Sequence, residues 1–175
     1  MNQTFNLPSK LVHWVSALVI FGLLAIGLYM GELPKGPEKL ELVNLHKSFG
    51  LLALLLLIIR IPVRIKNPVE PLASISRKDH IKAKAIQGLI YVLLAVMPLS
   101  GIIMTLTAGY NLSFFGLEIL PSIMEKNHDL HEIFEEVHEL AAWGLMALLV
   151  AHIGAALYHH FIVKDETLKR MSLKK

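Results

Sequence analysis

The last long apolar run of the chain, Val137 to Lys164, reads VHELAAWGLMALLVAHIGAALYHHFIVK. A helix of ~20 residues at ~1.5 Å per residue crosses the hydrocarbon core of a bilayer, so this run is long enough to span one. Four histidines nevertheless sit in it: His138, His152, His159 and His160. An imidazole in a membrane helix costs free energy unless it is satisfied inside a bundle or serves chemistry. His138 and His152 are fourteen residues apart, which at ~100° and ~1.5 Å per residue puts them within ~40° of one face and ~21 Å apart along the axis. One helix face therefore offers imidazoles at two depths. Two stacked cofactors, one near each membrane surface, need that from a shared helix.

Three further apolar runs precede this one. Leu11 to Met30 follows Asn6, Pro8 and Ser9, which supply helix-start chemistry, and carries Lys10 at its head and His13 just inside. No small-residue cleavage site follows it, so it reads as a retained span and not a signal peptide. Val43 to Val63 has His46 near its beginning and Arg60 and Arg64 near its end. Ala85 to Leu106 contains no histidine but carries Pro98 and Gly101, which predict a kink or loosening that neighbouring helices tolerate. Glu32 to Glu41 and Lys66 to Lys84, with His80, read as loops. Tyr110 to Glu136 reads as a longer acidic connection with a short amphipathic helix around Asp129 to Glu136. With 54% of 175 residues hydrophobic and 18% charged, and a mean hydropathy of +0.56, the composition is that of a membrane protein. The predicted fold is all-α: a single integral membrane domain over residues 1–175, a four-helix bundle with transmembrane helices at about 11–30, 43–63, 85–106 and 137–163.

Loop charge orients the bundle. From Arg60 to Lys84 there are seven basic residues against Glu70 and Asp79, and after His160 five basic against two acidic. Tyr110 to Glu139 holds seven acids and only Lys126. By the positive-inside rule the basic segments and both termini are cytoplasmic and the acidic connection lies outside. The basic residues are divided among loops, so the pI of about 9.1 does not predict a nucleic-acid partner. The partner the composition does imply is the lipid bilayer.

Depth follows for each histidine. His46 and His138 begin their helices near the outer surface; His13 begins its helix near the inner one, and His152, His159 and His160 lie toward the inner end of theirs. Two imidazoles from different helices can clamp one haem. The outer pair is then His46 with His138, while the partner of His13 stays open: depth from Lys10 and Lys164 slightly favours His159, whereas the small residues of AHIGAA around His152 leave space for a flat macrocycle. Gly50 near His46, and Gly22 and Gly27 in the first helix, thin the bundle in the same way. The chain has no cysteine, which excludes disulfides, thiolate-bound zinc, Fe–S clusters and covalently attached haem.

The motifs LVHW with His13, LHKSFG with His46 followed by Arg60 and Arg64, IYVLLAVMPLSG, VHE with His138, and AHIGAALYHHFIVKDETLKRM resemble those of the bacterial cytochrome b561 family, the small four-helix di-haem type, over nearly the whole chain. The resemblance implies two haem b, the outer one held by His46 and His138, the inner by His13 and His152, and thus chooses His152 over His159. It implies an inner-membrane oxidoreductase that passes electrons between a periplasmic-side donor and the ubiquinone pool, with His159 a candidate quinone contact near Lys78, Lys82 and Lys84. Relatives include a superoxide oxidase, so a superoxide:ubiquinone oxidoreductase is one expectation, with Lys47 as a cationic inlet beside His46. Where relatives often carry histidines near the start of the third helix, this chain has Lys84 and Gln87.

Other readings compete with this one. A membrane anchor or relay for a periplasmic redox protein is the alternative within electron transfer. A histidine-lined metal-ion transporter predicts acids inside the spans, and the apolar cores hold essentially none. Four histidines that merely hydrogen-bond between helices leave their matching depths unexplained. His128, His131 and Glu135 share a helix face and could hold a metal, but a solvated polar face is the simpler reading.

Overall fold

A computed structural model describes residues 4–72 and 75–173; Lys174 and Lys175, counted in the basic tail above, lie outside these residues. Four long helices carry the fold: α1 Leu7–Glu32, α2 Pro37–Lys66, α3 Arg77–Thr107 and α4 His128–Tyr158. Each is long and apolar enough to cross a membrane. Between α3 and α4 lies an antiparallel hairpin, β1 Leu112–Phe114 and β2 Leu117–Leu120.

Capping, more than hydropathy, sets where α1, α3 and α4 start. The Asn6 side chain accepts from the Ser9 amide at 3.1 Å and Pro8 sits in the first turn of α1, as the sequence suggests. α3 begins at Arg77, well before the apolar run, because Ser76 accepts from the Asp79 amide at 3.2 Å, half of a capping box. His80 is therefore a helical residue and not a loop residue. α4 likewise begins at His128, with Asn127 accepting from the Leu130 amide at 3.0 Å. The amphipathic stretch around Asp129 to Glu136 is the first part of α4, not a separate helix. α3 remains helical through Pro98.

Adjacent helices pack in chain order, α1 on α2, α2 on α3 and α3 on α4, whereas α1 and α2 are not packed along their lengths against α4. Gly144 lets α4 approach α3 closely, since a Cβ there would stand 3.4 Å from Leu93 Cδ1. The buried apolar cluster takes one residue from each helix: Ile20, Leu57, Leu94 and Leu145. Leu145 lies seven residues from His138 and seven from His152, so this layer separates the two depths at which α4 carries imidazoles. Leu18, Leu55, Val92 and Val150 are exposed, a surface suited to lipid and poorly suited to water. Hydroxyls within the helices are satisfied locally: Ser16 donates to Val12 O, Ser48 to Asn44 O and Thr105 to Gly101 O.

The hairpin is absent from the sequence reading. Its two-residue turn, Phe115 and Gly116, has positive φ at both positions, 48° and 86°, the requirement of a type I′ connection. The turn is pinned to α2, where the Phe115 amide donates to Ser48 Oγ at 3.0 Å and its ring stands 5.3 Å from that of Phe49.

Candidate functional site

Two pairs of histidines face each other across the loosely packed side of the bundle. At the acidic end, His46 on α2 and His138 on α4 have ring centroids 6.2 Å apart at an interplanar angle of 69°. At the basic end, His13 on α1 and His152 on α4 are 6.4 Å apart at 64°. An ion held between two imidazoles by bonds of about 2 Å sets the centroids about 6 Å apart. Both gaps have that width.

The acidic-end pair sits in a cradle made by missing side chains. A Cβ on Gly27 would stand 3.3 Å from His46 Cε1, and one on Gly101 would stand 3.6 Å from His138 Cε1. The rings can therefore come close to the backbones of α1 and α3. Ser100, 2% exposed, donates its hydroxyl to Met97 O at 2.9 Å and so must accept from His138 Nδ1, also at 2.9 Å. That bond keeps the His138 proton on Nδ1 and leaves the Nε2 lone pair open as a ligand. His46 Nδ1 is buried with no hydrogen-bond partner. Between the rings lies an apolar cavity of about 90 Å³, lined among others by Leu24, Gly50, Met97, Ile102 and Leu145, with Lys47 at its side. The Lys47 ammonium stands 5.4 Å from the centre of the Tyr110 ring.

The basic-end pair is organised by a cation. Arg60 lies 2.8 Å from His13 Nδ1 and donates to the Tyr91 hydroxyl at 3.0 Å. Guanidinium has no acceptor, so it donates to His13 and puts the neutral ring's proton on Nε2. Arg60 forms no salt bridge with a carboxylate among the described residues, and the space beside it, bounded by Ser16, Ile20, Ala53, Leu57 and Leu94, is only about 10 Å³. The tail closes over this end: Trp14 donates to Met171 O at 2.9 Å, and Arg170 donates to Glu70 O.

His159 stands apart from both pairs, with Nδ1 2.6 Å from Asp165 Oδ2. His160 packs its ring edge against Phe161. His128 pairs with Glu132 at 3.4 Å, and His131 Nδ1 lies 3.0 Å from Met104 O, so that stretch ties α4 to α3 and to solvent. No cluster of three metal-binding side chains occurs among the described residues. Sequence reasoning missed Ser100, the Arg60–Tyr91 contact and Asp165. Of these only Arg60 left a signal, as a charge inside an apolar run.

The model of the prokaryotic cytochrome b561 family matches residues 4–173. The chain belongs to that family. Cytochrome b561 homolog 2 of Escherichia coli K12 is 34% identical over 177 residues, covering 97% of this chain and 91% of its own length. The probable superoxide oxidase CybB of Yersinia pestis is 32% identical over 178 residues, 100% of this chain and 99% of its own. As a prokaryotic cytochrome b561, the chain is a membrane electron-transfer protein that binds haem b. Its donor set fits that group: imidazoles facing in pairs, no thiolate, and at the acidic end a cavity whose walls glycines keep open.

Proposed function

We propose that the chain holds two haem b groups in the inner membrane, one between His46 and His138 and one between His13 and His152, and that it carries electrons from a periplasmic-side donor to ubiquinone at its cytoplasmic end. Supporting this reading above all is one observation, the two facing imidazole pairs at matched spacing on α1, α2 and α4. Held between these histidine pairs, haem b would supply reversible one-electron storage. The chain's own residues do the rest. α4 contributes one ligand to each pair and so fixes their separation. Ser100 orients His138 for ligation through Nε2. Leu145 and its three partners keep water from the space between the sites. To hold a haem through Nε2, His13 would have to give up its hydrogen bond to Arg60, and the carboxylates that haem b carries would supply Arg60 with a counter-charge that no described carboxylate gives it. The basic end, with Lys78, Lys82 and Lys84 on the first turns of α3 and His159 nearby, suits a quinone whose oxygens gain charge on reduction.

Two donors remain in play at the acidic end. Superoxide is suggested by the name of the Yersinia relative; a cationic protein is favoured by the exposed carboxylates of α4.

A pyridine haemochrome assay on purified protein is expected to give two haems per chain, extractable by acid–acetone. One haem or none would end the two-site reading. Ser100→Ala is expected to retain both haems but raise the midpoint potential of the outer one alone, because losing the acceptor on Nδ1 makes His138 a less basic ligand and favours ferrous iron. A redox titration in which both waves stay in place would refute the orienting role.

A further inference from the structure

The inner histidine pair lacks a support that the outer pair has. His138 and the serine that orients it, Ser100, lie on α4 and α3, which pack against each other. His13 and His152 lie on α1 and α4, which do not pack along their lengths. Something other than helix packing must set the gap between them.

The segment after α4 supplies it. Beyond Tyr158 the helix continues as a π-helical turn, His159–Val163, and ends at Lys164 in the left-handed conformation, φ 60° and ψ 36°. Such a backbone costs free energy in a non-glycine residue and persists where contacts hold it. Here the contacts converge on Asp165: its amide reaches His159 O at 3.2 Å, its Oδ2 accepts from His159 Nδ1 at 2.6 Å, and its Oδ1 accepts from the Thr167 amide at 2.8 Å. The chain, turned back on itself, then forms a 3₁₀ turn, Lys169–Met171. Two groups on this turn reach the rest of the bundle. Arg170, 9% exposed, donates to Glu70 O on the connection between α2 and α3, and Met171 O accepts from the Trp14 indole on α1 at 2.9 Å. An arginine is rarely so buried unless partners hold it. The tail therefore ties the end of α4 both to α1 and to the α2–α3 connection.

Trp14 carries that tie to a ligand. It follows His13 in sequence, and the two rings stand edge to face with centroids 5.2 Å apart at 73°. This is a ring contact and not a hydrogen bond, so it does not compete with ligation as the Arg60 bond to His13 Nδ1 does. A tryptophan at a membrane surface also suits the interface by itself, but that role needs only the ring and no particular acceptor for its N–H.

We propose that the tail is the clasp of the inner haem site: through Trp14 it fixes the His13 ring and holds α1 at ligation distance from α4, and so governs retention of the inner haem and not of the outer one. The inference rests on the two-haem reading above. Trp14 and Arg170 are positioning residues, acting on the haem through His13. They belong to one linkage, since the Met171 carbonyl that receives Trp14 follows directly on the residue that Glu70 O anchors.

The test follows haem release from the purified full chain to excess apomyoglobin, with His13→Ala, which keeps only the outer haem, assigning the phases. Trp14→Phe retains an aromatic ring and removes the N–H. It is expected to speed release of the inner haem about three- to tenfold, the range of one hydrogen bond, and to leave the outer phase in place. Arg170→Ala should act in the same direction, and the double variant should release no faster than the quicker single one, because both changes open the same linkage. The ferric low-spin EPR signal of a bis-histidine haem depends on the angle between its imidazole planes, so the inner signal alone should shift or broaden in Trp14→Phe. Unchanged inner release in Trp14→Phe, equal acceleration of both phases, or effects that multiply in the double variant would overturn the clasp. A parent chain that carries fewer than two haems would instead remove the two-haem reading, and the clasp with it.

Discussion

His46→Ala or His138→Ala is expected to cut the haem content from two per chain to one and to abolish one of two waves in a redox titration, and His13→Ala or His152→Ala is expected to remove the other wave. The effect is all or none, because an axial ligand is a coordinate bond and no other imidazole stands opposite the vacated position. His159 lies seven residues beyond His152 in sequence, yet its Nδ1 is tied to Asp165 at 2.6 Å. The π-helical turn holds it beyond the point where α4 faces His13. A variant His152→Ala that kept both waves, with His159→Ala losing one, would reverse the inner assignment. The two losses should also be independent. The layer of Ile20, Leu57, Leu94 and Leu145 stands between the sites, and His138 and His152 lie ~21 Å apart along α4. Emptying one end should therefore leave the optical band and midpoint of the other nearly unchanged.

Much of that expectation was legible in the sequence because hydropathy and helical rise are properties of runs. Apolar stretches of ~20 residues locate spans, and a rise of ~1.5 Å per residue converts sequence number into depth, which is why sequence alone puts His46 and His138 at one depth. Contacts between side chains distant in sequence follow no such rule. Nothing in SGIIM says that Ser100 will accept from His138, or that Gly101 faces that ring while Gly27 faces His46. By contrast, Gly22 and Gly50 have open space where a Cβ would stand, so a glycine near a ligand in sequence is not thereby its neighbour. Helix starts fell between the two cases. Ser76 and Asp79 spell a cap for α3, and Asn127 one for α4, but both lie in charged segments that hydropathy assigns to loops. The hairpin strands, three and four residues long, are too short for an alternating pattern to stand out, and the His159–Asp165 contact depends on a π-helical turn that no periodicity predicts.

Raising ionic strength is expected to accelerate reduction of the outer haem by superoxide. α4 continues beyond its apolar run toward the acidic end and carries Asp129, Glu132, Glu135, Glu136 and Glu139, all exposed, with Glu118 and Glu125 exposed on the connection before it. Against these stand few cations. Lys47 is half-buried over the Tyr110 ring beside the cavity, and Lys39 is turned back to donate to Leu33 O at 3.0 Å. Superoxide is an anion, and a field of one sign changes association rates by on the order of tenfold or more. At low salt, with a Debye length of ~30 Å, all of these carboxylates act on an approaching ion; at ~10 Å they are largely screened, while Lys47, at the cavity wall, still acts at contact range. The rate should therefore climb across that range, and pulsed production of superoxide at graded salt measures it directly. A cationic protein donor should show the opposite slope, because the same carboxylates attract it and salt removes the attraction. If the superoxide rate instead falls with salt from near the diffusion limit, then Lys47 dominates the approach to His46, the acidic turns of α4 are irrelevant to the donor, and superoxide becomes the better-supported substrate.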